Sequence, residues 1–133
     1  MRIEDYFKIK GTYELVDGLY NVKGSVLIKL NVEKLLVKFG KVSGIFSCYN
    51  SSLTSLEGCP KSIGGSFKCY KNKLTSLEGC PKSIGGSFWC FNNNLTSLKG
   101  APTQIGGSFK CYKNLRKTKE YRQYLIFKKL RSW

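Results

Sequence analysis

The side chains best suited to chemistry are six cysteines, Cys48, Cys59, Cys69, Cys80, Cys90 and Cys111. Thiolates bind zinc or act as nucleophiles, and both uses need close partners. The cysteines are widely and regularly spaced, and no two of them form a Cys-x-x-Cys pair. The chain has no histidine, which removes the commonest general base and the Ser-His and Cys-His nucleophile systems. Of its eight carboxylates only Glu57 and Glu78 lie in the middle of the chain, too few to assemble a metal cluster. The expectation is a non-enzyme with no catalytic residue, metal ligand, cofactor or small-molecule substrate. The cysteines then serve as small buried hydrophobes with free thiols in a reducing compartment. Ala101 stands where Cys59 and Cys80 stand in earlier segments, in keeping with a packing role.

The cysteines recur because the chain repeats. From Gly44 the segments run GIFSCYNSSLTSLEGCPKSIG, GSFKCYKNKLTSLEGCPKSIG, GSFWCFNNNLTSLKGAPTQIG and GSFKCYKNLRKTKEY. Phe46, Phe67, Phe88 and Phe109 form one column, and Cys48, Cys69, Cys90 and Cys111 the next. Leu53, Leu74 and Leu95, then Leu56, Leu77 and Leu98, then Ile63, Ile84 and Ile105 follow in step. A helix-turn-helix repeat needs about 34 residues, whereas a period of about 21 residues fits one turn of a β-solenoid.

The order Phe67-x-Cys69-x-x-Asn72-x-Leu74-x-x-Leu77 resembles the leucine-rich-repeat pattern L-x-L-x-x-N-x-L, with Phe and Cys for two leucines. Gly79-x-Pro81 resembles the short repeats of bacterial and bacteriophage leucine-rich-repeat proteins. The tandem LTSLEGCPKSIGGSF is similar to small proteins carried by large tailed bacteriophages. The likeness covers about residues 40 to 114. It implies a single-domain leucine-rich-repeat solenoid: a parallel sheet on one side, a largely irregular convex side, and a habit of binding partners. In a phage setting the partner is a host or defence protein, and the location is the cytoplasm of the bacterial host cell.

Alternation places the strands at residues 46–49, 67–70, 88–91 and 109–112, with Phe67 and Cys69 inward and Lys68 and Tyr70 outward. Asn72, Asn93 and Asn114 leave the strands, where an amide bonds the turn backbone, with Ser51 in the same place in the first coil. Gly64-Gly65 and Gly85-Gly86 allow a tight return to the next strand. Residues 1–43 read as an N-terminal cap, with Phe7 and Ile9 on a short strand, followed by a degenerate coil from residue 20, one residue shorter than the rest. Residues 44–114 are the repeats, and residues 115–133 a basic helix from about Thr118.

Binding then falls on the outward strand face, the concave sheet of a leucine-rich solenoid. One column is Ser47, Lys68, Trp89, Lys110; the next is Tyr49, Tyr70, Phe91, Tyr112; a third is Asn50, Lys71, Asn92, Lys113. Stacked aromatics can simply stabilise a sheet, but an exposed patch of this size marks a contact surface. The expected partner-binding residues are Tyr49, Lys68, Tyr70, Trp89, Phe91, Lys110 and Tyr112, with Trp89 beside Phe91 as the hot spot.

With 23 basic and 8 acidic residues the net charge is +15, which favours an acidic partner surface. Residues 1–44 carry 8 basic and 5 acidic groups, residues 45–113 carry 8 and 2, and residues 114–133 carry 7 and 1. The last stretch supplies a second basic patch, Arg116, Lys117, Lys119, Arg122, Lys128, Lys129 and Arg131. It serves either as a solvated helix face or as an anchor for phosphate or acidic protein. Two functions follow: a module that binds and modulates a protein, or a binder of single-stranded nucleic acid or RNA in which bases stack on the rings and lysines hold phosphates. No apolar run approaches the roughly 20 residues of a membrane span. Residues 1–6 do not read as a signal peptide, so no membrane association is expected.

Overall fold

A computed structural model describes residues 2–114. The basic helix expected at 115–133, with its seven basic residues, lies outside them. A 3-10 turn at Ile3–Asp5 leads into β1 (Phe7–Val16) and β2 (Leu19–Ile28), which pair antiparallel along their whole length. Asp17 and Gly18 join them with φ of 52° and 79°, as a two-residue hairpin turn requires. The short strand expected at Phe7 and Ile9 is thus a ten-residue arm of a hairpin. The expected boundary after residue 19 cuts through this hairpin, because a repeat register is blind to a turn outside the repeats.

Beyond the hairpin the chain winds as a solenoid of about four turns with parallel strands. One ladder stacks β4 (Phe46–Ser47), β6 (Phe67–Lys68), β8 (Phe88–Trp89) and β10 (Phe109–Lys110). A second stacks β3 (Phe39–Val42), β5 (Ser62–Ile63), β7 (Ser83–Ile84) and β9 (Gln104–Ile105). This second ladder occupies a side expected to be largely irregular. β2 serves both: Tyr20 and Val22 pair with Phe39 and Val42, and Val26 and Leu27 pair with Phe46 and Ser47. The step from Val26 to Phe46 is one shorter than the step from Phe46 to Phe67, which every later coil repeats.

The strands of the first ladder are two residues long rather than four. Asn72 explains the shortening. Its Nδ2 donates to the carbonyls of Cys48 at 2.9 Å and Cys69 at 3.0 Å, taking acceptors that a longer ladder would give to backbone N–H groups. Its Oδ1 accepts the N–H groups of Ser51 at 2.9 Å and Leu53 at 3.0 Å. Asn93 and Asn114 repeat the two Nδ2 donations one and two coils on, and their Oδ1 atoms accept the N–H groups of Leu74 and Leu95. The asparagines therefore tie each coil to the one before it, while satisfying polar groups that burial would otherwise leave unpaired.

The core lies between the ladders. Phe46, Phe67, Phe88, Cys48, Cys69, Cys90, Leu53, Leu56, Leu74 and Leu77 have no solvent exposure. Phe67 and Phe88 stack at 5.4 Å with planes 4° apart, and Phe39 meets Phe7 and Phe46 edge-on at 5.1 and 5.0 Å. The paired glycines bend the chain from one ladder to the other, and stacking demands them: a Cβ on Gly85 would lie 2.2 Å from the Gly64 carbonyl oxygen.

Candidate functional site

The first ladder presents its outward residues as two adjoining columns. In one, Ser47, Lys68, Trp89 and Lys110 are direct cross-strand neighbours. The Lys68 and Lys110 ammonium groups each lie 5.2 Å from the Trp89 ring centre, so the indole sits between two cations. Its Nε1 points at Ser108 Oγ, 3.5 Å away. Ser47, at the start of the column, is buried.

In the other column the rings of Tyr49, Tyr70, Phe91 and Tyr112 stack at 4.8, 4.5 and 4.6 Å, all within 10° of parallel. These separations follow the strand spacing of a sheet, about 4.8 Å. Tyr70 also meets Trp89 at 6.3 Å, which joins the columns. All seven expected partner-binding residues therefore form one surface. Its ends are more open than its middle: Tyr49, Tyr112 and Lys110 are exposed, whereas Lys68, Tyr70, Trp89 and Phe91 are half-buried among their neighbours. Burial, and then the adjoining Tyr49, raises the Tyr70 phenol above its ordinary value, so its hydroxyl keeps its proton at neutral pH.

The third column borders this surface. Asn50, Lys71, Asn92 and Lys113 all adopt the left-handed conformation, with φ of 49°, 57°, 60° and 59°. Asparagine tolerates that region, whereas lysine does so at a cost of about 1–2 kcal/mol. These lysines were not among the expected binding residues. Their position in the repeat was legible; the strain, which depends on backbone dihedrals, was not.

Five of the six cysteines are buried and Cys80 is partly so; Cys48, Cys59, Cys69, Cys80 and Cys90 are free thiols within the described structure. Burial is the first cause raising Cys59, Cys69, Cys80 and Cys90 well above the usual thiol range, which leaves these four protonated and unreactive. Among the described residues no three metal-ligating side chains converge. An open cleft between the hairpin and the second ladder is lined by Tyr13, Lys23, Lys41 and Ser43 and shares no residue with the aromatic surface. Among the described residues no helix is long and apolar enough to cross a membrane. Comparison with protein families, curated proteins and solved structures finds no match for this chain.

Proposed function

We propose that this chain is a non-enzymatic protein-binding module of the leucine-rich-repeat type, with the hairpin as its N-terminal cap. Its aromatic and lysine surface is the docking face. The partner is a protein with an acidic surface, and under the resemblance to tailed-phage proteins it is a host or defence protein modulated in the bacterial cytoplasm.

The observation that carries this reading over nucleic-acid binding is the ring stacking. A base inserted between two rings needs about 6.8 Å, two stacking steps. The rings stand 4.5–4.8 Å apart on a hydrogen-bonded sheet, and Trp89 has a lysine over each face. What projects outward is ring edges, tyrosine hydroxyls and ammonium groups. Such a surface suits carboxylates and apolar side chains of a folded protein better than stacked bases. The strained Lys71 and Lys113 extend the same basic border.

Affinity capture from host cells, with and without nuclease, tests the reading. Recovery of one protein after nuclease treatment, lost in the Trp89→Ala/Phe91→Ala variant, supports it. Recovery only before nuclease treatment transfers the surface to nucleic acid.

A further inference from the structure

We propose that the N-terminal end of the solenoid is a self-association surface on which β1 pairs antiparallel with β1 of a second copy. β1 is an edge strand that pairs only with β2 among the described strands, so its other edge offers the alternate backbone groups of a ten-residue strand. Such an edge invites another strand. Tyr13 and Leu15, on one face of this strand, are 39% and 58% exposed, an apolar pair that the rest of the described chain leaves partly uncovered.

The register of the pairing follows from the shape of the strand. Gly11 faces Gly24, with φ of 114° and 144°, where the hairpin passes from the first ladder to the second. A Cβ on Gly11 would lie 2.0 Å from the Lys23 carbonyl oxygen, so the two arms of the hairpin approach closely there and only glycine fits. A two-fold axis through Gly11 places this special conformation at the centre of both strands. Each half of β1 then lies against the other half of its partner. Centred on Gly11, this arrangement sets Lys8 against Glu14 of the second copy, Ile9 against Tyr13, Lys10 against Thr12 and Phe7 against Leu15.

The faces agree as well. Phe7, Ile9 and Tyr13 lie opposite Ile28, Val26 and Val22 of β2, all buried, so the apolar members share the core side. Lys8, Lys10, Thr12 and Glu14 alternate onto the outer side. The two-fold arrangement thus matches apolar to apolar and forms two Lys–Glu pairs. Residues 1–44 are also the least basic part of the chain, with 8 basic and 5 acidic groups, so self-repulsion is weakest at this end.

The test measures the mass of the full chain by sedimentation equilibrium over a wide dilution series. A reversible dimer is expected. Lys8→Glu places like charges opposite each other at both pairs and should raise the dimer dissociation constant about tenfold or more. Lys8→Glu combined with Glu14→Lys should restore the dimer, with the far-UV circular dichroism of all three chains unchanged. A monomer at every concentration overturns the proposal and leaves the edge to a strand from another protein. A dimer indifferent to Lys8→Glu also overturns it, because the copies would then meet elsewhere.

Discussion

The ring of Tyr70 lies over that of Phe91 at 4.5 Å, with planes 10° from parallel. Earlier in the same two coils, Phe67 and Phe88 stack in the same way within the core, at 5.4 Å and 4°. The same pair of coils therefore carries one aromatic stack inside and one outside. Only burial separates the two.

That difference sets the first prediction. Phe88 has no exposure, so Phe88→Ala should destabilise the fold by about 3–5 kcal/mol in urea unfolding. Phe91→Ala loses two ring contacts on a half-buried face and should lower stability by about 1–2 kcal/mol. Partner binding should fall by about 2 kcal/mol or more in the Phe91 variant. Equal destabilisation by both, with binding retained in Phe91→Ala, would make the outer stack a sheet stabiliser only.

Asn72 should be among the most sensitive polar positions. Replacing it by Ala would strand the N–H groups of Ser51 and Leu53 and the Cys48 carbonyl in a buried site. Each stranded group costs about 1–3 kcal/mol. Asn72→Ala should therefore destabilise by about 3 kcal/mol or more, whereas Asn94→Ala, at an exposed position of the next coil with ordinary backbone, should stay within about 1 kcal/mol. Thermal unfolding of the two variants beside the parent chain checks this.

Phe67 and Phe88 are legible as core neighbours from sequence because a constant step along the chain sets both their spacing and their inward side. The outward columns follow by alternation. Ser83–Ile84 escapes the same reading, since two residues followed by two glycines show no alternation, and the second ladder exists only through stacking. The Asp17-Gly18 turn carries a hairpin signal of its own, but it lies outside the repeat that organises the rest. The lysines over both faces of Trp89 depend on side-chain conformations, which no spacing encodes.

Lys71 separates stability from binding. Its φ of 57° suits glycine. Lys71→Gly removes about 1–2 kcal/mol of backbone strain and adds a smaller entropy loss. A net gain of about 0.5–1 kcal/mol in urea unfolding is expected. If the basic border helps to draw in an acidic partner, the same variant should slow association and weaken its salt dependence. A more stable variant with unaltered association would remove Lys71 from the docking face.

The buried thiols make stability depend on alkaline pH. Burial raises Cys59, Cys69, Cys80 and Cys90 well above the usual thiol range in the folded chain, whereas in the unfolded chain they titrate near about 8.5. Above that pH the unfolded state releases protons that the folded state retains. Stability is therefore fully present below the unfolded value and is lost as pH rises towards the folded values. Each such thiol contributes a slope of about 1.4 kcal/mol per pH unit once its unfolded form is ionised. Urea unfolding between about pH 8 and 10 should show this decline. Cys59→Ala, which copies the residue found at Ala101, should make it shallower by one thiol's share. Stability that stays level over this range would mean that the cysteine columns are hydrated and do not belong to the core.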